Sequence, residues 1–109
     1  MLEPVLGSST KEKALLFLYC KEEGYAREMA RFFRSDLSPL QRQLEKMESA
    51  GVLYSRLVGR TRLYGFNPRY PFLPELKAIL KKALAFAPED LREALTLGRR
   101  RPRKAGKPL

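Results

Sequence analysis

Two helical patterns lie close together in the middle of this 109-residue chain. In residues 24–33, and again in residues 38–50, apolar side chains recur every three or four positions, which is the spacing of a packed helix face. Only the polar segment 34–37 separates the two patterns, and it is too short to form a further element. The sequence therefore predicts two helices joined by a tight turn.

The second of these helices has clear start and stop signals. Ser38 is expected to cap its N-terminus, with Pro39 at the first helical position and Gln41 completing a capping box. Gly51 is expected to end it, because glycine adopts the left-handed conformation at the lowest cost. The predicted helix is thus well delimited and amphipathic.

The outward face of this helix carries long polar side chains. If Leu44 points to the core, a rotation of about 100° per residue places Arg42 and Lys46 almost opposite to it, with Gln41 and Gln43 on the flanks. An ordinary solvated surface helix presents similar residues, so the helix alone does not decide its function.

The sequence changes to a β-rich pattern after the second helix. Residues 52–58 and 63–66 are predicted strands, and residues 59–62 are the predicted tip of the hairpin between them. Three arginines lie on this hairpin. A basic β-tip beside a helix pair can lie along a phosphate strand or enter the minor groove of DNA.

The chain begins with an expected arm, residues 1–9, followed by a helix that starts at Thr10 and stops at Gly24. Residues 14–20 form an unbroken apolar run, so this helix is expected to be covered on more than one side. The core is one such cover, and a second subunit is the other candidate. Cys20 lies in this run, where we expect a buried, reduced thiol.

A longer helix is predicted from Phe72, where apolar residues at alternating spacings of three and four form a heptad seam. A fresh helix start near Pro88 extends the helical segment to Gly98. An apolar face of this width would be a liability in water, so we predict a twofold dimer through the first and the long helix. The predicted interface residues are Leu16, Phe17, Phe72, Leu73, Leu76, Ile79, Leu80, Ala83 and Phe86.

The chain is strongly basic, with 22 lysines and arginines against 12 acids and a net charge of +10. Six of the basic residues lie in residues 99–109, a segment without acids that is expected to be a disordered tail. Residues 1–98 keep 16 basic residues against 12 acids, or +4. Because both parts are positive, the natural partner is a polyanion.

Other classes of function are not expected from this composition. The chain has no histidine and one cysteine, whereas soft-metal sites need several such ligands, so no metal or cofactor is predicted. The adjacent acids Glu22–Glu23 and Glu89–Asp90 do not converge on one point of a helix, and no enzyme is predicted. No run approaches a membrane span and no signal pattern leads the chain, so we expect a cytoplasmic protein.

The helix pair and the basic hairpin together predict binding to double-stranded DNA. In a helix-turn-helix, the second helix of the pair enters the major groove, which is about 12 Å wide. Arg42 is expected to grip guanine, Gln41 or Gln43 to read adenine, and Lys46 to neutralise phosphate. The predicted DNA-binding residues are Ser38, Pro39, Gln41, Arg42, Gln43, Lys46, Arg56, Arg60, Thr61 and Arg62.

Residues 28–68 resemble the winged-helix transcription regulators of the ArsR and MarR type. Glu28-Met29-Ala30 carries the acid, the aliphatic residue and the alanine of that pattern, and Leu37-Ser38 precedes the recognition helix as in those proteins. The resemblance implies a mainly α fold with a small β-hairpin (α+β). A winged helix-turn-helix would occupy residues 10–70, and a C-terminal dimerisation helix would lie in residues 71–98.

Residues 6–11 and 67–77 are similar to the ArsR-like winged helices that often precede a minimal nucleotidyltransferase domain. Nothing after Leu84 supplies the Gly-Ser segment and paired acids of that enzyme. The implied function is a dimeric, DNA-binding regulator, most simply a repressor, with a small-molecule effector left open. One alternative is an adaptor that contacts polymerase or a partner enzyme such as a nucleotidyltransferase, and another is an RNA-binding protein.

Overall fold

The computed structural model describes residues 1–97, which form a mainly helical α+β fold with one small sheet. The predicted fold class is therefore confirmed. Gly98 and the predicted tail 99–109 lie outside the described residues. In chain order, the elements are α1 (Glu3–Leu6), α2 (Ser9–Lys21), β1 (Glu23–Tyr25), α3 (Ala26–Phe33), α4 (Leu37–Ser49), β2 (Leu53–Val58), β3 (Thr61–Phe66), α5 (Leu73–Ala85) and α6 (Glu89–Leu97).

The start of the chain is more ordered than an arm. Residues 3–6 form the short helix α1, and the backbone amide of Leu2 donates a 3.1 Å hydrogen bond to Oε2 of Glu12 on α2. Helix α2 begins one residue before the predicted Thr10, because Ser8 is its N-cap and accepts a 3.1 Å hydrogen bond from the amide of Lys11.

Helix α2 lies at the centre of the described fold. Residues 14–18 and Cys20 are buried. Helix α2 contacts the other five described helices and two of the strands, β1 and β3. The predicted cover on more than one side is confirmed, and elements of the same chain supply it. The expected burial of Cys20 is confirmed as well.

The sheet has three antiparallel strands in the order β1-β3-β2. Strand β1 occupies residues that the sequence assigned to the end of the first helix and the start of the second. The first helix instead ends at Lys21 and the second begins at Ala26. Gly24 in this strand lies so close to Phe17 that an added Cβ would be 2.7 Å from the ring. A side chain at this position would require either the Phe17 ring or the strand to shift.

The turn between α3 and α4 fixes the angle at which α4 leaves the core. Arg34 ends α3 in the left-handed conformation (φ 54°), and Asp36 occupies the N-cap position of α4 without a side-chain hydrogen bond. The predicted Ser38 cap and Gln41 capping box are therefore wrong. Helix α4 begins earlier, at Leu37, whose side chain packs against the core.

The predicted end of α4 at Gly51 is confirmed. Gly51 has a φ of +85°, and the amides of Gly51 and Val52 donate to the carbonyls of Glu48 and Met47 at 3.0 and 2.9 Å. These two hydrogen bonds form a Schellman motif that satisfies the last carbonyls of the helix. Strand β2 begins at Leu53, so the connection between α4 and the hairpin is short.

Candidate nucleic-acid interface

The outward face of α4 is the one that the sequence predicts. Leu44 is fully buried, whereas Gln41, Arg42 and Lys46 are exposed. Within the described part of the chain, neither Arg42 nor Lys46 forms an ion pair. Their positive charges are therefore available to a partner outside the chain.

Three other predicted α4 residues differ in their surroundings. Ser38 is exposed in the first turn, and Pro39 beside it is half-buried. Gln43 is half-buried, and its Oε1 atom is buried without a hydrogen-bond partner in residues 1–97. Gln43 therefore does not belong to the solvent-facing side of α4, and Gln41 is the better placed of the two glutamines to meet a base edge.

The hairpin turns more tightly than predicted. Its tip is Gly59–Arg60 alone, because Val58 and Thr61 already pair across β2 and β3. Gly59 has a φ of +64°, as the first central residue of a two-residue hairpin turn of this kind requires. Thr61 and Arg62, predicted as tip residues, are exposed residues of β3.

The two faces of the hairpin have different partners. On the face toward α4, the hydroxyl of Ser55 donates a 2.7 Å hydrogen bond to Oε2 of Glu48, and Nη1 of Arg62 donates to Ser55 Oγ at 3.1 Å. On the opposite face, Arg56 lies 3.6 Å from a carboxylate oxygen of Glu23. Arg56 is therefore separated from the other predicted DNA-binding residues.

A cleft of about 280 Å³ lies between α3, α4 and the hairpin. Its wall brings Gln41 of α4 together with Arg60 and Arg62 of the hairpin, and Glu45 is the acid that it contains. A shallower groove, which shares Glu45, continues along α4 past Arg42, Lys46 and Ser49. The cleft and the groove thus form one surface, which six of the predicted residues line: Gln41, Arg42, Lys46, Arg60, Thr61 and Arg62. Ser38, Pro39, Gln43 and Arg56 line neither of the two.

Two arginines of this surface were not identified from the sequence. Arg27 of α3 lines the same cleft, and a neighbouring depression joins Arg27 and Arg31 to Thr61 of the hairpin. Both arginines are exposed and lie four residues apart on the polar side of α3. That spacing is visible in the sequence, but their proximity to the hairpin depends on the tertiary fold.

Tyr64 forms part of the same cleft. Burial raises its pKa above the ordinary value of 10.0, and the nearby carboxylates of Glu48 and Glu45 raise it further. The phenol therefore stays protonated and neutral at physiological pH, so this cleft residue carries no negative charge that would repel phosphate.

The predicted dimer residues divide into three groups by burial. The heptad seam packs on α2 of the same chain, so that Leu16, Phe17, Leu80 and Ala83 lie in the core of the single chain instead of on its surface. Leu73 and Leu76 are half-buried. The exposed apolar residues of this segment are those that flank the seam at intervals of seven: Phe72 (63% exposed), Ile79 (45%) and Phe86 (66%).

An apolar cavity of about 250 Å³ lies where α2, α3, α5 and α6 meet. Leu16, Phe33, Ala83 and Leu91 contribute to its wall, and Glu12 and Lys13 lie at its edge. In residues 1–97, no group of three or more His, Cys, Asp or Glu side chains could hold a metal ion. In the same residues, no helix is both long and apolar enough to cross a lipid bilayer.

The chain matches no known protein-family model and none of the curated proteins. Among solved structures, it is similar to ZitR from Lactococcus lactis, a double mutant in its apo form, with a TM-score of 0.55. The two chains are 13% identical, and the match covers 88% of this chain and 81% of that one. At this identity the likeness concerns the fold, which the two proteins share over most of their length.

Proposed function

We propose that the chain is a transcriptional regulator, most simply a repressor, that binds double-stranded DNA as a dimer. Helix α4 enters the major groove, and the hairpin residues 59–62 lie on the backbone or in the minor groove. The observation that carries this proposal is the continuous surface formed by α3, α4 and the hairpin, on which cations predominate.

The charge of this surface suits a phosphate backbone. Its basic residues are exposed and, among the described residues, none of them is ion-paired: Arg27, Arg31, Arg42, Lys46, Arg60 and Arg62. Each cation that contacts a phosphate releases condensed counterions, which is the main source of affinity for duplex DNA. We predict that residues of α3 and the hairpin contact phosphates, and that residues of α4 contact base edges.

The exposed residues of α4 suit the reading of base edges. The guanidinium of Arg42 has the reach and the two parallel donors that bind O6 and N7 of guanine together. Gln41 lies beside it toward the hairpin cleft and can pair in the same two-point manner with adenine. We therefore assign sequence discrimination to Arg42 first and to Gln41 second.

The stripe of Phe72, Ile79 and Phe86 supports self-association. The three side chains lie on one side of α5 at intervals of two helical turns and remain exposed in the single chain. We propose that a twofold axis covers this stripe and that the two copies of α4 then meet half-sites about 34 Å apart, one turn of the DNA.

Selection of bound sequences from random duplex DNA, with the full chain, tests the proposal. We expect enrichment of two related half-sites about one helical turn apart, and a mobility shift on the selected duplex that persists at physiological salt. A chain that enriches no sequence and shifts no duplex at that salt would contradict it.

The same stripe favours a second candidate, an adaptor that contacts polymerase or a partner enzyme. Exposed aromatic side chains are typical anchors of protein interfaces. An adaptor would bind its partner through α5 and ignore duplex DNA at physiological salt. Substitution of Arg42 would then leave its activity unchanged, whereas substitution of Phe86 would abolish it.

A further inference from the structure

We propose that Ser55 and Glu48 are positioning residues for Arg62, which they hold on the α4 side of the hairpin where it meets a DNA phosphate. The inference rests on the proposed function. Three side chains from three elements form the arrangement: Glu48 from α4, Ser55 from β2 and Arg62 from β3. The two hydrogen bonds that link them measure 2.7 and 3.1 Å.

The direction of these hydrogen bonds is fixed by chemistry. An ionised carboxylate can only accept, so the single proton of the Ser55 hydroxyl is given to Glu48. A guanidinium can only donate, so Nη1 of Arg62 donates to a lone pair of the Ser55 hydroxyl oxygen. The relay therefore has a cation at one end and an anion at the other, and each hydrogen bond polarises the next.

The relay leaves most of the guanidinium available. A guanidinium has five N–H donors, and among the described contacts Ser55 uses only one donor of Arg62. An arginine held in this way loses less rotamer freedom when it binds a phosphate than one that is free in solvent. Arg62 is thus oriented before DNA arrives.

The other two hairpin arginines have no such support toward α4. Arg56 is paired with Glu23 on the far face, and Arg60 is exposed at the tip with no hydrogen bond to a described residue. The relay also explains why an acid, Glu48, lies close to a surface proposed to bind a polyanion. Its charge serves the orientation of Arg62.

The test is the affinity for the duplex selected from random sequences, about 30 base pairs or three helical turns long, measured by fluorescence anisotropy with folding checked by circular dichroism. We expect Ser55→Ala, which changes no charge, to weaken binding by about two- to tenfold. Ser55→Thr keeps the hydroxyl and should bind like the wild type. In an Arg62→Ala background, Ser55→Ala should have no further effect, because the group that it positions is gone.

A second pair of variants removes an acid from α4 at two positions. If charge alone mattered, Glu48→Ala and Glu45→Ala would strengthen DNA binding equally. The relay predicts that Glu48→Ala binds more weakly than Glu45→Ala, whose carboxylate has no hydrogen-bond or ion-pair partner among the described residues.

The outcomes separate this inference from the proposed function. If the wild type fails to bind the duplex, the proposed function fails and the relay with it. If the wild type binds but Ser55→Ala matches it, or if Ser55→Ala loses as much in the Arg62→Ala background, only the relay is overturned. Equal affinities of Glu48→Ala and Glu45→Ala would overturn it too.

Discussion

The hydroxyl of Tyr54 donates a 2.6 Å hydrogen bond to Oε2 of Glu23, which ties strand β2 to strand β1 across the outer face of the sheet. The same ring lies over Gly65 of the central strand, where an added Cβ would be 2.7 Å from it. Tyr54 therefore spans all three strands and holds the hairpin against the rest of the chain.

Replacing Tyr54 with Phe removes this hydrogen bond and keeps the ring. We expect a loss of about 1 kcal/mol in the free energy of unfolding, since the bond is charge-assisted but only partly buried. Chemical denaturation of the two proteins measures it. A variant as stable as the wild type would mean that water replaces the bond without cost.

The same bond predicts a pH dependence. The hydrogen bond to Glu23, then burial, raises the pKa of Tyr54 above its ordinary value of 10.0. The unfolded chain loses this proton first, so the contribution of Tyr54 is complete below pH 10 and is lost as the pH rises through the folded pKa. Above pH 10, the free energy of unfolding of Tyr54→Phe should therefore fall less steeply with pH than that of the wild type. Alkaline titrations of both proteins at fixed denaturant compare the two slopes.

Arg42→Ala is expected to relax sequence preference. The loss should be about 1–3 kcal/mol at one base pair of the selected site and much smaller on unrelated duplexes. Binding to a panel of single-base variants measures the difference. A loss of equal size on every duplex would assign Arg42 to the backbone and not to a base.

Arg27→Ala is the complementary case, on α3. Because we assign Arg27 to a phosphate, affinity should fall for all sequences alike, and the slope of log K against log salt should become shallower by about 1. Lys82→Ala, which removes an exposed cation of α5 outside the basic surface, is the control. If Arg27→Ala binds like the wild type, as the control should, Arg27 does not contact the DNA.

Phe86→Glu tests the exposed stripe of α5. Phe86 is 66% exposed, so the fold should survive, with a change in stability within about 0.5 kcal/mol. Sedimentation should show a shift from dimer to monomer, and Lys81→Glu, an exposed residue of the same helix, should leave the dimer intact. A wild-type chain that sediments as a monomer at all concentrations would contradict the dimer.

Gly24→Ala tests the contact between β1 and α2. The added methyl group would lie 2.7 Å from the ring of Phe17, and overpacking of this kind typically costs about 1–3 kcal/mol. The melting temperature should fall accordingly. An unchanged melting temperature would show that Phe17 moves aside freely.

The sequence predicted the long, periodic parts of this fold well. The two helices of the pair carry an apolar repeat over eight or more residues, and the hairpin has two β-rich segments of six residues each, so their type and order follow from the sequence. Strand β1 has three residues, too few for any period, and its neighbours along the chain are helical. What makes it a strand is the pairing of residues 23–25 with β3, a contact that is distant in sequence.

The candidate site was predictable where it depends on one helix and less so where elements meet. The outward direction of Arg42 and Lys46 follows from helix geometry alone. The distance of Arg27 from the hairpin, and the assignment of Arg56 to the far face, follow only from tertiary packing. Likewise, the heptad seam of α5 was visible as an apolar pattern, but the pattern does not say which chain covers it.

Because the heptad seam of α5 packs against α2 of the same chain, the part of α5 that can contact a second copy is the narrow stripe of Phe72, Ile79 and Phe86. So small a contact would make a dimer that dissociates on dilution, so the proposed DNA-bound dimer would assemble from monomers as the protein concentration rises. While most sites are empty, occupancy would then rise with the square of the protein concentration, so it would respond more steeply to a change in synthesis than the occupancy of a monomer.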